Sequence, residues 1–358
     1  MRNAATYLKS WFGRFEAVGY RRPDPWLWLP AAALLLLGLL MVLNTTYFLG
    51  LEKTGDAFHF FKLHLARIFA GLIVLALLSQ FSLSGLRRLV FPLTVIATIM
   101  LIAVYIPGFG VARGGARRWL RIGPVLAEPS EMVKFALVFF LADFLSKRQD
   151  RMGIFAQGPL PAMFCIGPVA LLILKQPDFG STVMVALILF AMLYAAGARL
   201  THLGIAGSGV LSVLAFQAVA KSYRMRRLTA FLDPWRTARG AGFQLIQSFI
   251  ALGAGGRWGV GLGAGRQKMF YLPQAHTDFV FAVVGEEFGL IGAAVVIALF
   301  LVILFRGMRI AHDEPDPFAS LLAVGLTALL SMQALINMAV VIGLIPTKGL
   351  PLPFLSYG

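Results

Sequence analysis

Leu290-Ile291-Gly292-Ala293-Ala294-Val295-Val296-Ile297-Ala298-Leu299-Phe300-Leu301-Val302-Ile303-Leu304-Phe305 contains no polar side chain. It lies in an apolar block, 278–305, that is long enough as a helix to cross about 30 Å of bilayer hydrocarbon, which takes about 20 residues. Eight more such blocks lie near 27–48, 63–80, 89–107, 130–146, 159–175, 179–196, 203–220 and 318–345. The runs are continuous rather than alternating, so they predict helices and exclude a closed β-barrel. The expectation is an all-α polytopic membrane protein with nine transmembrane helices. Residues 1–358 would form one membrane domain, with a cytoplasmic segment over 1–26. A large structured extracytoplasmic loop, 221–277, would separate the seventh and eighth helices.

Composition agrees. Of 358 residues, 59% are apolar and 13% charged, against about 45–50% and about 25% in soluble domains. An ordinary cytosolic enzyme and a disordered chain are both excluded. Cys165, the single cysteine, sits in an apolar block and is expected to be buried; it permits no internal disulfide or thiolate cluster. Residues 1–22 carry Arg2, Lys9, Arg14, Arg21 and Arg22, and the apolar run that follows is too long for a cleaved signal peptide.

Lys plus Arg is 32 and Asp plus Glu 16, a net charge of +16. The basic N-terminus places residue 1 in the cytoplasm. Alternating from there assigns 13 cations inside and 17 outside, with Arg67 and Lys134 within spans or at their edges. The short loops obey the positive-inside rule; the segments 108–129 and 221–277 break it. Either the orientation is inverted or those two segments carry positive charge for a purpose. The N-terminus and the loops 81–88 and 147–158 agree with one another, which favours the second reading.

The first basic segment is Arg113-Gly114-Gly115-Ala116-Arg117-Arg118-Trp119-Leu120-Arg121. Clustered guanidiniums suit a phosphate or pyrophosphate, and the indole suits the headgroup level or a sugar face; alternatively the segment is simply an interfacial anchor. Next, Pro129 and Ser130 suit a helix start, with Glu131 and Lys134 at i, i+3. Gln176-Pro177-Asp178-Phe179-Gly180 marks a tight turn, and Asp178 either caps the next helix or serves the site. In the long loop, seven glycines within 253–265 allow close backbone approach, yet no strand–loop–helix context makes a nucleotide site. Its cations, ending at Lys268, favour an anionic partner; nucleic acid is a poor one on a face away from the cytosol.

The chain then runs Leu272-Pro273-Gln274-Ala275-His276-Thr277-Asp278-Phe279 into the block quoted above. Asp278, at the water boundary beside a basic loop, is the acid best placed for general-base work on a hydroxyl, although a helix cap also uses that position. Glu286 falls about 80° around the helix from Asp278 and about 12 Å deeper, and Glu287 falls on the opposite face. Glu286 is therefore the expected companion. Ionisable groups at such depth usually face a cavity or a partner.

These segments, together with Phe231-Leu232-Asp233-Pro234-Trp235 and Ile345-Pro346-Thr347-Lys348-Gly349-Leu350-Pro351, resemble the SEDS family (shape, elongation, division and sporulation) of bacterial cell-wall glycosyltransferases. They do so in family order from about residue 110 to the end. Pro346-Thr347-Lys348-Gly349 and Gly285-Glu286-Glu287-Phe288-Gly289 resemble the division branch (FtsW-like) rather than the elongation branch (RodA-like). The resemblance implies polymerisation of lipid II with inversion and loss of undecaprenyl pyrophosphate, for septal wall synthesis. It implies Asp278 as the essential residue, acting as base or as ligand of a divalent cation (Mg or Mn), with no organic cofactor. Arg117, Arg118, Trp119, Arg121, Lys268, His276 and Lys348 become candidates for pyrophosphate or sugar, with Glu131, Lys134, Asp178 and Glu286 as supporting polar groups. The implied partners are the nascent glycan strand, a class B penicillin-binding transpeptidase (FtsI-like) and divisome regulators, at the inner membrane of the septum with the active face outside. Gln274 stands where many members have Glu, which removes a carboxylate. The family pattern has a tenth helix, so the native chain is expected to continue past Gly358. Readings of other classes are a lipid II flippase and a non-catalytic scaffold.

Overall fold

A computed structural model describes residues 24–357 apart from 114, 115, 124, 220, 221, 270 and 271. The segment 1–23 with its five cations, and Gly114, Gly115, Pro124, Lys221, Phe270, Tyr271 and Gly358, lie outside the described residues.

Each of the nine apolar blocks contains a long helix. These are α1 (Pro25–Thr54), α2 (His59–Leu78), α3 (Leu83–Ala103), α4 (Pro129–Ser146), α5 (Pro159–Lys175), α6 (Phe179–Ala195), α7 (Leu200–Val219), α10 (Val280–Asp313) and α11 (Pro317–Val341), with α8 (Ser222–Leu232) and α9 (Phe243–Gly255) between α7 and α10. Local chemistry sets the ends. Asp24 accepts the Trp26 N–H at 2.9 Å ahead of Pro25, and α1 stops at Gly55 in the left-handed region. Six helices (α1, α2, α3, α7, α10 and α11) are long and apolar enough to cross a membrane. Of the others, α5 and α6 have 17 residues each, and α4 carries Glu131, Lys134 and Asp143.

Two apolar clusters meet on α11. One joins α3, α4, α5 and α6 to its first half, and the other joins α1, α9 and α10 to its second half. The outer helices α2 and α7 are exposed along most of their apolar length, as lipid-facing helices are. Cys165 was expected in the core. It is exposed on α5 beside Phe164, because that face points outward from the bundle.

The all-α expectation needs a correction. Residues 110–127 form a three-stranded antiparallel sheet of β1 (Gly110–Arg113), β2 (Ala116–Ile122) and β3 (Val125–Ala127), in that order. Arg113 pairs with Ala116 and Leu120 with Ala127. β-Branched and aromatic residues such as Val111 and Trp119 suit a pleated surface, so local chemistry outweighs the helical context.

The segment 221–277 is not loop throughout. It folds α9 against α10 and α11, where Ser248 donates to the Val341 carbonyl at 2.7 Å. Helix α10 breaks at Gly289 (φ 66°, ψ −163°). The freed carbonyls of Glu286 and Glu287 accept the N–H groups of Val260 and Gly261, while Leu290 N–H donates to Gly256. Non-helical backbone within a bundle needs such partners. A Cβ on Gly259 would lie 2.1 Å from the Glu287 carbonyl oxygen, which is what the glycine-rich run accommodates.

Candidate functional site

Beyond α11 the chain does not continue as a helix. Residues 342–357 turn back into the bundle and bury Leu350, Leu352 and Leu355. Asn337 of α11 donates to the carbonyls of Leu350 and Asp278, both at 2.7 Å, and Gln333 donates to Pro351 at 3.1 Å. Tyr357 N–H reaches the His276 carbonyl at 2.8 Å. Two buried amides thus bind the 276–278 turn to the 346–357 tail, and this places Asp278 against Gly349. A methyl added at Gly349 would stand 3.1 Å from Asp278 Oδ2.

Gly349 also lines a cavity of about 180 Å³, with Arg118, Asp178, Arg224, Arg227 and Lys348 around it. Four cations face one acid. Arg118, from β2, donates through Nε to the Gln176 carbonyl at 3.2 Å and through Nη2 to the Pro177 carbonyl, and its Nη1 stands 4.0 Å from Asp178. Asp178 in turn accepts the Ser181 N–H at 3.1 Å, so it caps α6 and orients Arg118 together. Arg224 and Lys348 both lie over the Phe179 ring, at 5.3 and 5.2 Å from its centre. Burial depresses the Lys348 pKa.

The Asp278 carboxylate makes no hydrogen bond or ion pair with the described residues, and α10 has no side-chain cap. The cap reading is therefore not what the structure builds. Burial raises its pKa to about 6, with Arg227 pulling in the other direction. Such a group is mostly ionised at neutral pH yet poorly solvated, as a general base should be. Glu128 is raised to about 7 by burial and then by the charges of Asp178 and Glu131. His276 is held toward its neutral form by burial and by Lys53.

Several residues expected at the site lie elsewhere. Arg118 stands at an irregularity where β2 has one residue more than its partner strand, between Trp119 paired with Val111 and Arg117 paired with Ala112, and of the β2 residues it alone lines the cavity. Arg117 and Arg121 are exposed. Lys268 is buried, its ammonium 2.7 Å from Glu287 and bonded to Asn44, while Asn44 donates to Glu287 at 2.6 Å. No face of it remains for a substrate anion. Glu286, the expected companion of Asp278, instead accepts the N–H groups of Arg266 at 2.8 Å and Gln267 at 3.3 Å. Both acids hold the glycine-rich loop rather than facing a cavity. Glu131 does pair with Lys134 at 2.7 Å, and Lys134 also donates to Gln333 at 3.1 Å, so this pair supports the amide that carries the tail. Arg224, Arg227, Gln333 and Asn337 were missed. The i, i+3 spacing of the two arginines on a short basic helix was a usable signal; the two amides gave none.

With this geometry in hand, the sequence profile of the FtsW, RodA and SpoVE family, described as cell cycle protein, matches residues 25–358. The chain belongs to that family. A probable peptidoglycan glycosyltransferase FtsW from Geobacter sulfurreducens is 42% identical, covering 92% of this chain and 88% of that protein. The stage V sporulation protein E of Bacillus subtilis is also 42% identical, covering 94% and 92%. A chain from a peptidoglycan synthase complex, a structure concerned with coordination of polymerization and crosslinking, superposes with a TM-score of 0.76 at 30% identity, covering 95% and 93%. The rod shape determining protein RodA of Thermus thermophilus shares the fold, with a TM-score of 0.67 at 24% identity, covering 95% and 92%. The family resemblance read from the motifs is thus shown across nearly the whole chain.

Proposed function

We propose that this protein is a peptidoglycan glycosyltransferase of the FtsW type, which polymerises lipid II into glycan strands for septal wall synthesis. The observation that carries the reading is the unpartnered, desolvated Asp278 beside a cavity lined by Arg118, Arg224, Arg227 and Lys348. The guanidiniums hold the donor's pyrophosphate by charge-assisted hydrogen bonds. Asp278 takes the proton from the acceptor's sugar hydroxyl as that oxygen attacks the donor's anomeric carbon. The bond from that carbon to the pyrophosphate oxygen breaks, and the leaving group departs as the polyprenyl pyrophosphate with inversion at carbon.

Among the described residues no three His, Cys, Asp or Glu side chains converge. A divalent cation, Mg or Mn, fits as an ion held by Asp278 together with the substrate's pyrophosphate oxygens. When bound it supplies charge neutralisation at the leaving group. Nine crossings, with the basic cavity outside the cytoplasmic membrane, accommodate the helix order and the short basic loops at the opposite end. A class B penicillin-binding transpeptidase, with divisome regulators, is the proposed partner, in keeping with the synthase complex whose chain this one superposes on. The deep acids Glu286 and Glu287 are consumed by structural bonds, which argues against a flippase path.

The test is polymer formation from lipid II by the purified protein with its transpeptidase partner. Wild type is expected to make long strands and Asp278→Asn none, with chelation of divalent cations reducing the wild-type yield. Full polymer from Asp278→Asn refutes the role of Asp278, and lipid transport without new glycosidic bonds refutes the transferase reading.

A further inference from the structure

A second basic pocket lies beside the cavity and is not used by the chemistry proposed above. Arg226 and Arg227 of α8, with Arg236 and Arg239 beyond it, line an open pocket of about 570 Å³ together with Thr229 and Gly240. No carboxylate lines it, and among the described residues Arg226, Arg236 and Arg239 have no ion pair. Arg227 is shared with the cavity, whereas Arg226, Arg236 and Arg239 are exposed and do not line it.

The neighbouring surface is apolar. Met225 and Leu232, seven residues apart on one stripe of α8, are 38% and 74% exposed, and Trp235 just beyond is 64% exposed. Phe216 and Val219, at the end of the preceding helix α7, are exposed as well. An exposed apolar stripe flanked by arginines and a tryptophan is the pattern of a segment lying in the headgroup layer. An arginine pocket opening at that depth matches a lipid phosphate in charge and in hydrogen-bond geometry.

We propose that Arg226, Arg236 and Arg239 form a binding site for the phosphate headgroup of an anionic glycerophospholipid, with Met225, Leu232 and Trp235 resting among its acyl chains. Bound lipid fixes α8, and through Arg224 and Arg227 it steadies one wall of the cavity. The inference rests on the pocket and the apolar stripe, independently of the transferase reading.

The experiment measures phosphatidylglycerol binding by the full chain in nanodiscs of phosphatidylcholine with and without phosphatidylglycerol. It compares wild type, Arg236→Gln/Arg239→Gln, and the control Arg117→Gln/Arg121→Gln, which removes two exposed arginines elsewhere on the chain. At about fivefold per charge, the first pair is expected to weaken binding about 25-fold. The control pair is expected to leave binding within about twofold. Unchanged thermal unfolding verifies that each variant is folded. Equal losses in the two pairs, or no loss in the first, overturn the site. So does a pocket that binds polyprenyl pyrophosphate but not phosphatidylglycerol.

Discussion

Two charged clusters stand within the same half of the molecule and are built in opposite ways. In the first, Lys268, Glu287 and Asn44 satisfy one another in the interior, and Glu286 is occupied by backbone N–H groups. In the second, among the described residues the Asp278 carboxylate makes no hydrogen bond or ion pair and the Lys348 ammonium lies over an aromatic ring, while burial works against the charged form of each. A buried charge with every bond made holds a structure together. A buried charge left incomplete is ready for a ligand or a proton. The contrast separates residues that the sequence alone had grouped together.

The largest effect expected from breaking the contrast is at Asp278. Asp278→Asn is expected to lower the rate of strand formation by about 10²–10⁴-fold while leaving thermal unfolding in detergent unchanged, because the carboxylate carries no structural bond. Glu287→Ala is expected to do the reverse. It strands the Lys268 ammonium in the interior and should cost about 3–5 kcal/mol, read as a fall in the unfolding midpoint. The double variant Lys268→Met/Glu287→Leu should be less damaging than Glu287→Ala alone, since it removes both charges.

A smaller effect sharpens the account of Asp278 itself. Its reactive form is the ionised one, so polymerisation should rise with pH through about 6 and level off above it. Arg227 favours that ionised form. Arg227→Gln should therefore move the rising limb to higher pH, by up to about one unit, as seen in a pH–rate profile. The smallest effect is expected on the outer face of β2. Arg117→Gln should change stability by less than about 0.5 kcal/mol, measured by thermal unfolding, because its side chain is exposed and lines no cavity.

The helices were legible because apolar runs of that length have few other solutions in a bilayer. Asp278 stood out in the sequence as a candidate because an acid beside a basic loop and ahead of an apolar span is costly and rare. The all-α expectation failed at residues 110–127, where β-hairpin chemistry occupies a loop too short to read by periodicity. Lys268 and Lys348 looked alike in sequence, one lysine in each glycine-containing stretch. Only packing separates them, since Lys268 meets Glu287 from a helix 19 residues on and Asn44 from a helix 224 residues away.

The nine apolar blocks together determined that this is a membrane protein, since so many apolar runs of that length have few solutions other than a bilayer. The motifs by themselves determined the family and made Asp278 the leading candidate. Tertiary structure alone decided which cations face the cavity. Gln333 and Asn337 draw the tail against the Asp278 turn, β2 presents Arg118 but not its neighbours, and α8 brings Arg224 and Arg227 across. Charge type is local to a residue. Whether a charge is satisfied depends on partners distant in sequence, and those only the fold assembles.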